Sequence, residues 1–132
     1  MKSDDLKMLL LIDDEEDLCS ILKISIELGG RYRVMTALNG KDGLQIAREH
    51  KPALIILDVM MPGIDGIEVL KILKEDQDTI GIPVIMYTAK DDDNTKMRSV
   101  TGFCDEFLIK PVDSKPLLEK IDNVLKRKKK AQ

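Results

Sequence analysis

Leu54-Ile55-Ile56-Leu57-Asp58-Val59-Met60-Met61-Pro62-Gly63 is the stretch that decides the fold. Its first four residues form an unbroken apolar run with two adjacent isoleucines. Such a run reads as a strand buried on both faces, the habit of a central strand in a parallel sheet. The run stops on a carboxylate, Asp58, and Pro62-Gly63 then turns the chain. In open α/β sheets ligands bind outside the carboxyl ends of the strands. An aspartate at that end is therefore a candidate for chemistry.

The same pattern recurs near the amino end, where Met8-Leu9-Leu10-Leu11-Ile12 runs into Asp13-Asp14. If the two runs are parallel neighbours, three carboxylates converge at one sheet edge. Two unit charges about 4 Å apart repel by roughly 4 kcal/mol at an effective dielectric of about 20. A hard divalent cation relieves that repulsion, and Mg²⁺ suits a site of a few carboxylates plus a phosphate.

Outward from these runs the periodicity changes between 2 and 3.6. Strands are expected at about Lys7 to Ile12, Tyr32 to Ala37, Leu54 to Leu57, Val84 to Tyr87 and Glu106 to Ile109. Helices are expected at Glu15 to Leu28, Lys41 to Glu49, after Asp65-Gly66, at Asp91 to Thr101, and after Asp113-Ser114. In the first helix Leu18, Ile21, Leu22 and Leu28 recur at helical spacing, and Gly29-Gly30 ends it. Ile67, Leu70, Ile72 and Leu73 are the apolar positions of the third. The fourth is weak, with only Met97 and Val100 clearly apolar. The fifth carries a stripe of Leu117, Leu118, Ile121, Val124 and Leu125. Five strands alternating with five helices imply right-handed crossovers and a doubly wound α/β fold with a parallel sheet covered on both sides.

The 132 residues suit one domain, expected over residues 1–125, with residues 126–132 as a basic tail or the start of a linker. Net charge is −3 although 34% of residues are charged, so the charges are mixed. Cys19 and Cys104 lack metal-ligand spacing and read as reduced, buried or half-buried thiols in a cytoplasmic protein. No apolar stretch approaches the roughly 20 residues that cross a membrane. The tail Lys126-Arg127-Lys128-Lys129-Lys130 reads as a solvated helix end or a linker. It lacks aromatics for base stacking, so no direct nucleic-acid binding is expected.

Polar residues thus stand at the carboxyl ends of four strands: Asp13-Asp14, Asp58, Thr88 and Lys110. Together with Thr88-Ala89, Lys110-Pro111 and Leu57-Asp58-Val59-Met60-Met61-Pro62-Gly63-Ile64-Asp65-Gly66, they make the chain similar to the receiver domains of bacterial two-component response regulators. The resemblance covers about Leu6 to Leu125. It implies a flavodoxin-like receiver fold with strand order 2-1-3-4-5, which sets the first and third strands at the topological switch point.

By the same resemblance Asp58 accepts a phosphoryl group from the phosphohistidine of a sensor histidine kinase or phosphotransfer protein. Asp13, Asp14, Asp58 and the backbone carbonyl of Met60 hold Mg²⁺. Thr88, Ala89 and Lys110 contact the phosphoryl oxygens. The Lys110-Pro111 peptide is cis. Thr88 and Phe107 form the switch, and Met60 and Lys90 tune the lifetime. Neither of the last two is a good base, so slow self-dephosphorylation is expected. Output runs through the fourth helix, fifth strand and fifth helix to an output domain, a downstream protein or a second copy. Thr101-Gly102-Phe103-Cys104-Asp105 departs from the family's usual Gly-Ala-Asp-Asp.

Two enzyme-like readings compete. An aspartyl-phosphate phosphatase usually carries a second acid two residues after the first, where this chain has Met60. A flavodoxin-like electron carrier shares the topology, but the acids after the first strand would repel a flavin phosphate.

Overall fold

The computed structural model describes residues 6–89 and 102–131. Five strands form one sheet in the order β2-β1-β3-β4-β5, all neighbours parallel. They are β1 (Lys7–Ile12), β2 (Tyr32–Ala37), β3 (Leu54–Asp58), β4 (Val84–Ala89) and β5 (Glu106–Lys110). Helices α1 (Glu16–Leu28), α2 (Gly40–His50), α3 (Gly66–Glu75) and a C-terminal helix (Ser114–Ala131) cover it. These are the four helices of the described residues. The expected helix over Asp91 to Thr101, and Lys90 before it, lie outside them.

The sheet separates two apolar clusters, one for each face. On one side Leu10, Ile12, Ile55, Leu57 and Met86 pack with Leu44 and Ala47 of α2 and Val69, Leu70 and Leu73 of α3. On the other Leu9, Leu11, Leu54, Ile56, Ile85 and Tyr87 pack with Cys19, Leu22 and Ile26 of α1 and Leu117, Ile121 and Val124 of the C-terminal helix. Every residue of β3 is buried. Double-sided burial is why β3 reads as a continuous apolar run rather than an alternation. The edge strand β2 alternates instead. Its Val34 N–H donates to the Glu27 carboxylate at 2.9 Å, which blocks a donor that a foreign strand could use.

Two helix faces differ from expectation. In α1, Ile21 is 61% and Leu28 81% exposed, whereas Cys19, Leu22 and Ile26 are buried. More than half of this helix is apolar, so periodicity allows two stripes and packing selects the one containing the small Cys19. In α3 the buried set is Val69, Leu70 and Leu73, with Ile67 and Ile72 only half buried. The end of α1 is as expected: Gly30 has φ 78° and its N–H donates to the Glu27 carbonyl, a left-handed position that glycine takes without a Cβ clash. The C-terminal helix continues through the basic run to Ala131, so residues 126–131 prolong the helix rather than leaving it.

β1 lies between β2 and β3, so the chain leaves β1 for one edge and crosses back to β3 for the other. The carboxyl ends of β1 and β3 flank the crevice that this reversal opens.

Candidate functional site

Strand parity sets what faces the crevice. Side chains alternate along a strand, and registered neighbours in a parallel pair share a face. Leu9 and Leu11 face α1, and so does Asp13, the next residue of that parity after β1. Ile56 and then Asp58 do the same in β3. Asp58 is registered with Tyr87, and Tyr87 with Leu108, two residues before Lys110. Asp13, Asp58, Tyr87 and Lys110 therefore gather at one end of one face, while Thr88 rises from the opposite face of β4.

The contacts reflect that placement. One carboxylate oxygen from each of Asp13, Asp14 and Asp58 lies within 4.8 Å of the others. Asp13 is fully buried, Asp58 is 2% exposed, and Asp14 faces solvent. The Lys110 ammonium lies 3.2 Å from Asp13 Oδ2, 3.4 Å from Asp58 Oδ1 and 3.3 Å from Glu15 Oε1. It also sits 4.7 Å from the centroid of the Tyr87 ring. The Tyr87 hydroxyl donates to Asp13 Oδ2. Asp13 Oδ1 accepts from the Glu15 N–H at 2.9 Å, and the Asp13 carbonyl accepts from the Cys19 thiol at 3.3 Å. The Lys110-Pro111 peptide bond is cis.

The loop after β3 is held by backbone. The Val59 N–H donates to the Tyr87 carbonyl at 3.1 Å, and the Gly66 N–H to the Val59 carbonyl at 2.8 Å. A Cβ on Gly66 would lie 2.1 Å from the Asp58 carbonyl oxygen. Only glycine lets the first turn of α3 approach the end of β3 this closely. Asp65 caps that helix by accepting from the Glu68 N–H at 2.9 Å. Met60 N–H reaches Asp58 Oδ1 at 3.4 Å while its side chain is exposed beside it.

The electrostatics are those of excess negative charge. Burial, then the neighbouring Asp13 charge, pushes the Asp58 carboxyl up to about 7, although Lys110 and the Met60 N–H pull the other way. Burial alone would lower Lys110; Asp58 and Asp13 outweigh it and hold the ammonium above its ordinary value. Burial and Asp13 push the Cys19 thiol up to about 11, so this cysteine is a packing group rather than a nucleophile. Asp13, Asp14 and Asp58 offer oxygen ligands only, crowded and short of positive charge. That donor set fits a hard divalent cation such as Mg²⁺.

One polar atom has no protein partner. Among the described residues, the Thr88 hydroxyl is the single buried side-chain polar atom without a hydrogen bond, at 5% exposure. An orphan of this kind costs roughly 1–3 kcal/mol. Phe107 is half buried against the α2–α3 cluster, registered with Met86, two residues behind Ile109, the partner of Thr88. Ala89 ends β4 opposite Lys110.

The response regulator receiver domain family matches this chain over residues 9–122. The chain belongs to that family. It is 41% identical to the transcriptional regulatory protein AfsQ1 of Streptomyces coelicolor over 90% of its length and 51% of that protein's. It is 36% identical to protein PilH of Pseudomonas aeruginosa over 89% of its length and 96% of that protein's. A crystal structure of a receiver domain protein from Clostridium thermocellum superposes with a TM-score of 0.86 at 30% identity, covering 96% of this chain and 100% of that one. A CheY-like receiver domain protein from Methanospirillum hungatei gives 0.86 at 28% identity, covering 96% and 99%. The chain spans about half the length of AfsQ1 and similar regulators, and most of the length of PilH. Among the described residues, no helix is long and apolar enough to cross a membrane.

Two contributors to this receiver site carry no motif in the sequence, Tyr87 and Glu15. Parity would have found Tyr87: it is the one polar-tipped aromatic of a strand whose register puts it beside Asp58. Glu15 reads as helix-start acidity until the end of β5 brings Lys110 to it.

Proposed function

We propose that this receiver domain is a phosphorylation-controlled signalling switch in which Asp58 is the phosphoacceptor. The unpartnered Thr88 hydroxyl is the observation that carries the reading. A buried donor without an acceptor, at the rim of a crevice that already holds a carboxylate and an ammonium, suits an oxyanion that arrives only in one state of the protein. A carboxylate oxygen of Asp58 attacks the phosphorus of a phosphohistidine on a sensor kinase or phosphotransfer protein. The P–N bond breaks, an acyl phosphate forms, and the imidazole leaves with the electron pair.

Phosphoryl transfer asks the protein mainly for positioning and charge neutralisation. Lys110, already 3.4 Å from Asp58, takes one phosphoryl oxygen, and Thr88 with the Ala89 backbone takes another. Asp13, Asp14, Asp58 and the Met60 carbonyl would hold Mg²⁺, which would supply the remaining neutralisation. The exposed Met60 side chain offers no group to orient an attacking water, which favours a long-lived acyl phosphate. Output passes through the β5 and C-terminal helix surface to an output domain, a downstream protein or a second phosphorylated copy in the cytoplasm.

The test uses a small phosphodonor. With acetyl phosphate and Mg²⁺ the protein should gain one phosphate by intact mass and lose it slowly after donor removal. Asp58→Asn should gain none, and chelation should abolish labelling of the wild type. Full labelling of Asp58→Asn would remove Asp58 from its role.

A further inference from the structure

We infer that Tyr87 is a positioning residue for the cation site: its hydroxyl, donating to Asp13, and its ring, under the Lys110 ammonium, dictate how these two groups face the crevice. The inference rests on the reading of Asp13, Asp14 and Asp58 as a Mg²⁺ site. Tyr87 is 1% exposed and lies in a cluster made mainly of aliphatic side chains. A strand residue there needs bulk and no hydroxyl, yet this one sends its hydroxyl to a buried carboxylate.

The lone pairs of Asp13 limit where a cation can bind. A carboxylate offers about four acceptor sites, two on each oxygen. Oδ2 is occupied twice, by the Tyr87 hydroxyl and by Lys110 at 3.2 Å. Oδ1 accepts the Glu15 N–H at 2.9 Å. Oδ1 keeps a site that none of these donors takes, and it is there that a cation or its water meets Asp13 with least competition. The terminal torsion of aspartate is broad and roughly two-fold, so without the phenol the carboxylate could turn and present either oxygen. The ring does the same for the other partner. With its centroid 4.7 Å from the Lys110 nitrogen, it supports the ammonium by a cation–π contact at a height from which Asp13, Glu15 and Asp58 are all within reach.

Outer partners that orient metal ligands typically cost about 10–100-fold in metal affinity when removed. Tyr87→Phe deletes the hydroxyl and keeps the ring. Calorimetric titration with Mg²⁺ should show a dissociation constant about tenfold weaker than wild type, and Tyr87→Leu should be at least as weak. A purely structural tyrosine would lower the melting temperature of these variants and leave the constant alone. A second readout does not depend on those variants. The chain has two tyrosines and no tryptophan, and Tyr32 begins β2 at the far end of the sheet, bonded to Asp122. In Tyr32→Phe, emission from the remaining Tyr87 should change with Mg²⁺ at the half-saturation found by calorimetry. A Tyr87→Phe constant within twofold of wild type or tighter, or a silent Tyr87 signal, overturns this inference and leaves the Mg²⁺ site standing. A wild type that binds no Mg²⁺ overturns both.

Discussion

Asp58 has more negative charge around it than its one close cation cancels, and this has a pH signature in metal-free protein. Its folded carboxyl is pushed up to about 7, by burial and then by Asp13, whereas an unfolded aspartate titrates near 3.9. Between those values the folded protein keeps a proton that the unfolded chain has released. The group's contribution is therefore fully present below about pH 4 and is lost as pH rises through about 7. With chelator at pH 8, Asp58→Asn should be more stable than wild type by on the order of 2 kcal/mol. The gap should close toward pH 4, and Mg²⁺ should shrink it at pH 8. Urea denaturation across that range measures it, and a gap independent of pH would mean that Asp58 is not the strained group. At this scale the candidate site was largely legible. Asp13, Asp58 and Lys110 each terminate an apolar run, and termination is visible in one dimension. Tyr87 carries no such mark, and only strand parity places it on the face of β4 beside Asp58.

The element that places Asp58 is the turn from β3 into α3, and its tolerance is set by Gly66. A methyl there would stand 2.1 Å from the Asp58 carbonyl oxygen and 2.8 Å from the Val59 Cα. Both obstacles are backbone, so the strand end or the helix must move. Overpacking of this kind costs roughly 1–3 kcal/mol, and the displacement falls on Asp58 and Met60. Gly66→Ala should unfold at lower denaturant by about that amount and accept phosphate from a small donor at least tenfold more slowly, because misplacement by about 1 Å can cost on the order of a hundredfold. Wild-type labelling kinetics in a destabilised Gly66→Ala would separate packing from positioning. Elements as such were readable from the sequence wherever caps and turns punctuate them: Asp65 and Gly66 open α3, and Gly30 closes α1. Helix faces were less so. In α1, Ile21 and Leu28 occupy as regular a stripe as Leu22 and Ile26, and only packing against the sheet and the C-terminal helix selects between them.

At the scale of the molecule, charge gained at Asp58 has to reach β5. A phosphoryl group adds about two negative charges on the face of the sheet that carries Tyr87 and Lys110. In the proposed reading the output surface is that of β5 and the C-terminal helix, and Thr88 and Phe107 reach β5 from the other face. In the proposed switch Thr88 is the bridge, its buried hydroxyl having no partner among the described residues. Swinging it to a phosphoryl oxygen removes an orphan and vacates the space it fills beside Ile109, its registered neighbour. Phe107 shares that face two residues behind Ile109, half buried, and is the bulky group able to move in. Packing alone would drive that rotation, since a phenylalanine brings no hydroxyl. Moving a population from 1:99 to 99:1 takes about 5.5 kcal/mol of differential stabilisation. One charge-assisted hydrogen bond contributes roughly 1.5–3 kcal/mol. Thr88 therefore cannot complete the switch alone, and Lys110, released from Asp13 and Glu15 toward the phosphoryl group, must share it. Thr88→Ala should still be labelled at Asp58 yet respond in part. With Mg²⁺ and beryllofluoride, a phosphoryl mimic, amide shift changes around Asp58 should match wild type, while those over Glu106–Lys110 should fall to roughly 40–90% of their wild-type size, the range left when about 1.5–3 of about 5.5 kcal/mol is lost. Equal shift changes in β5 of Thr88→Ala and wild type would show that the coupling bypasses Thr88, leaving Lys110 and the C-terminal helix behind it as the route.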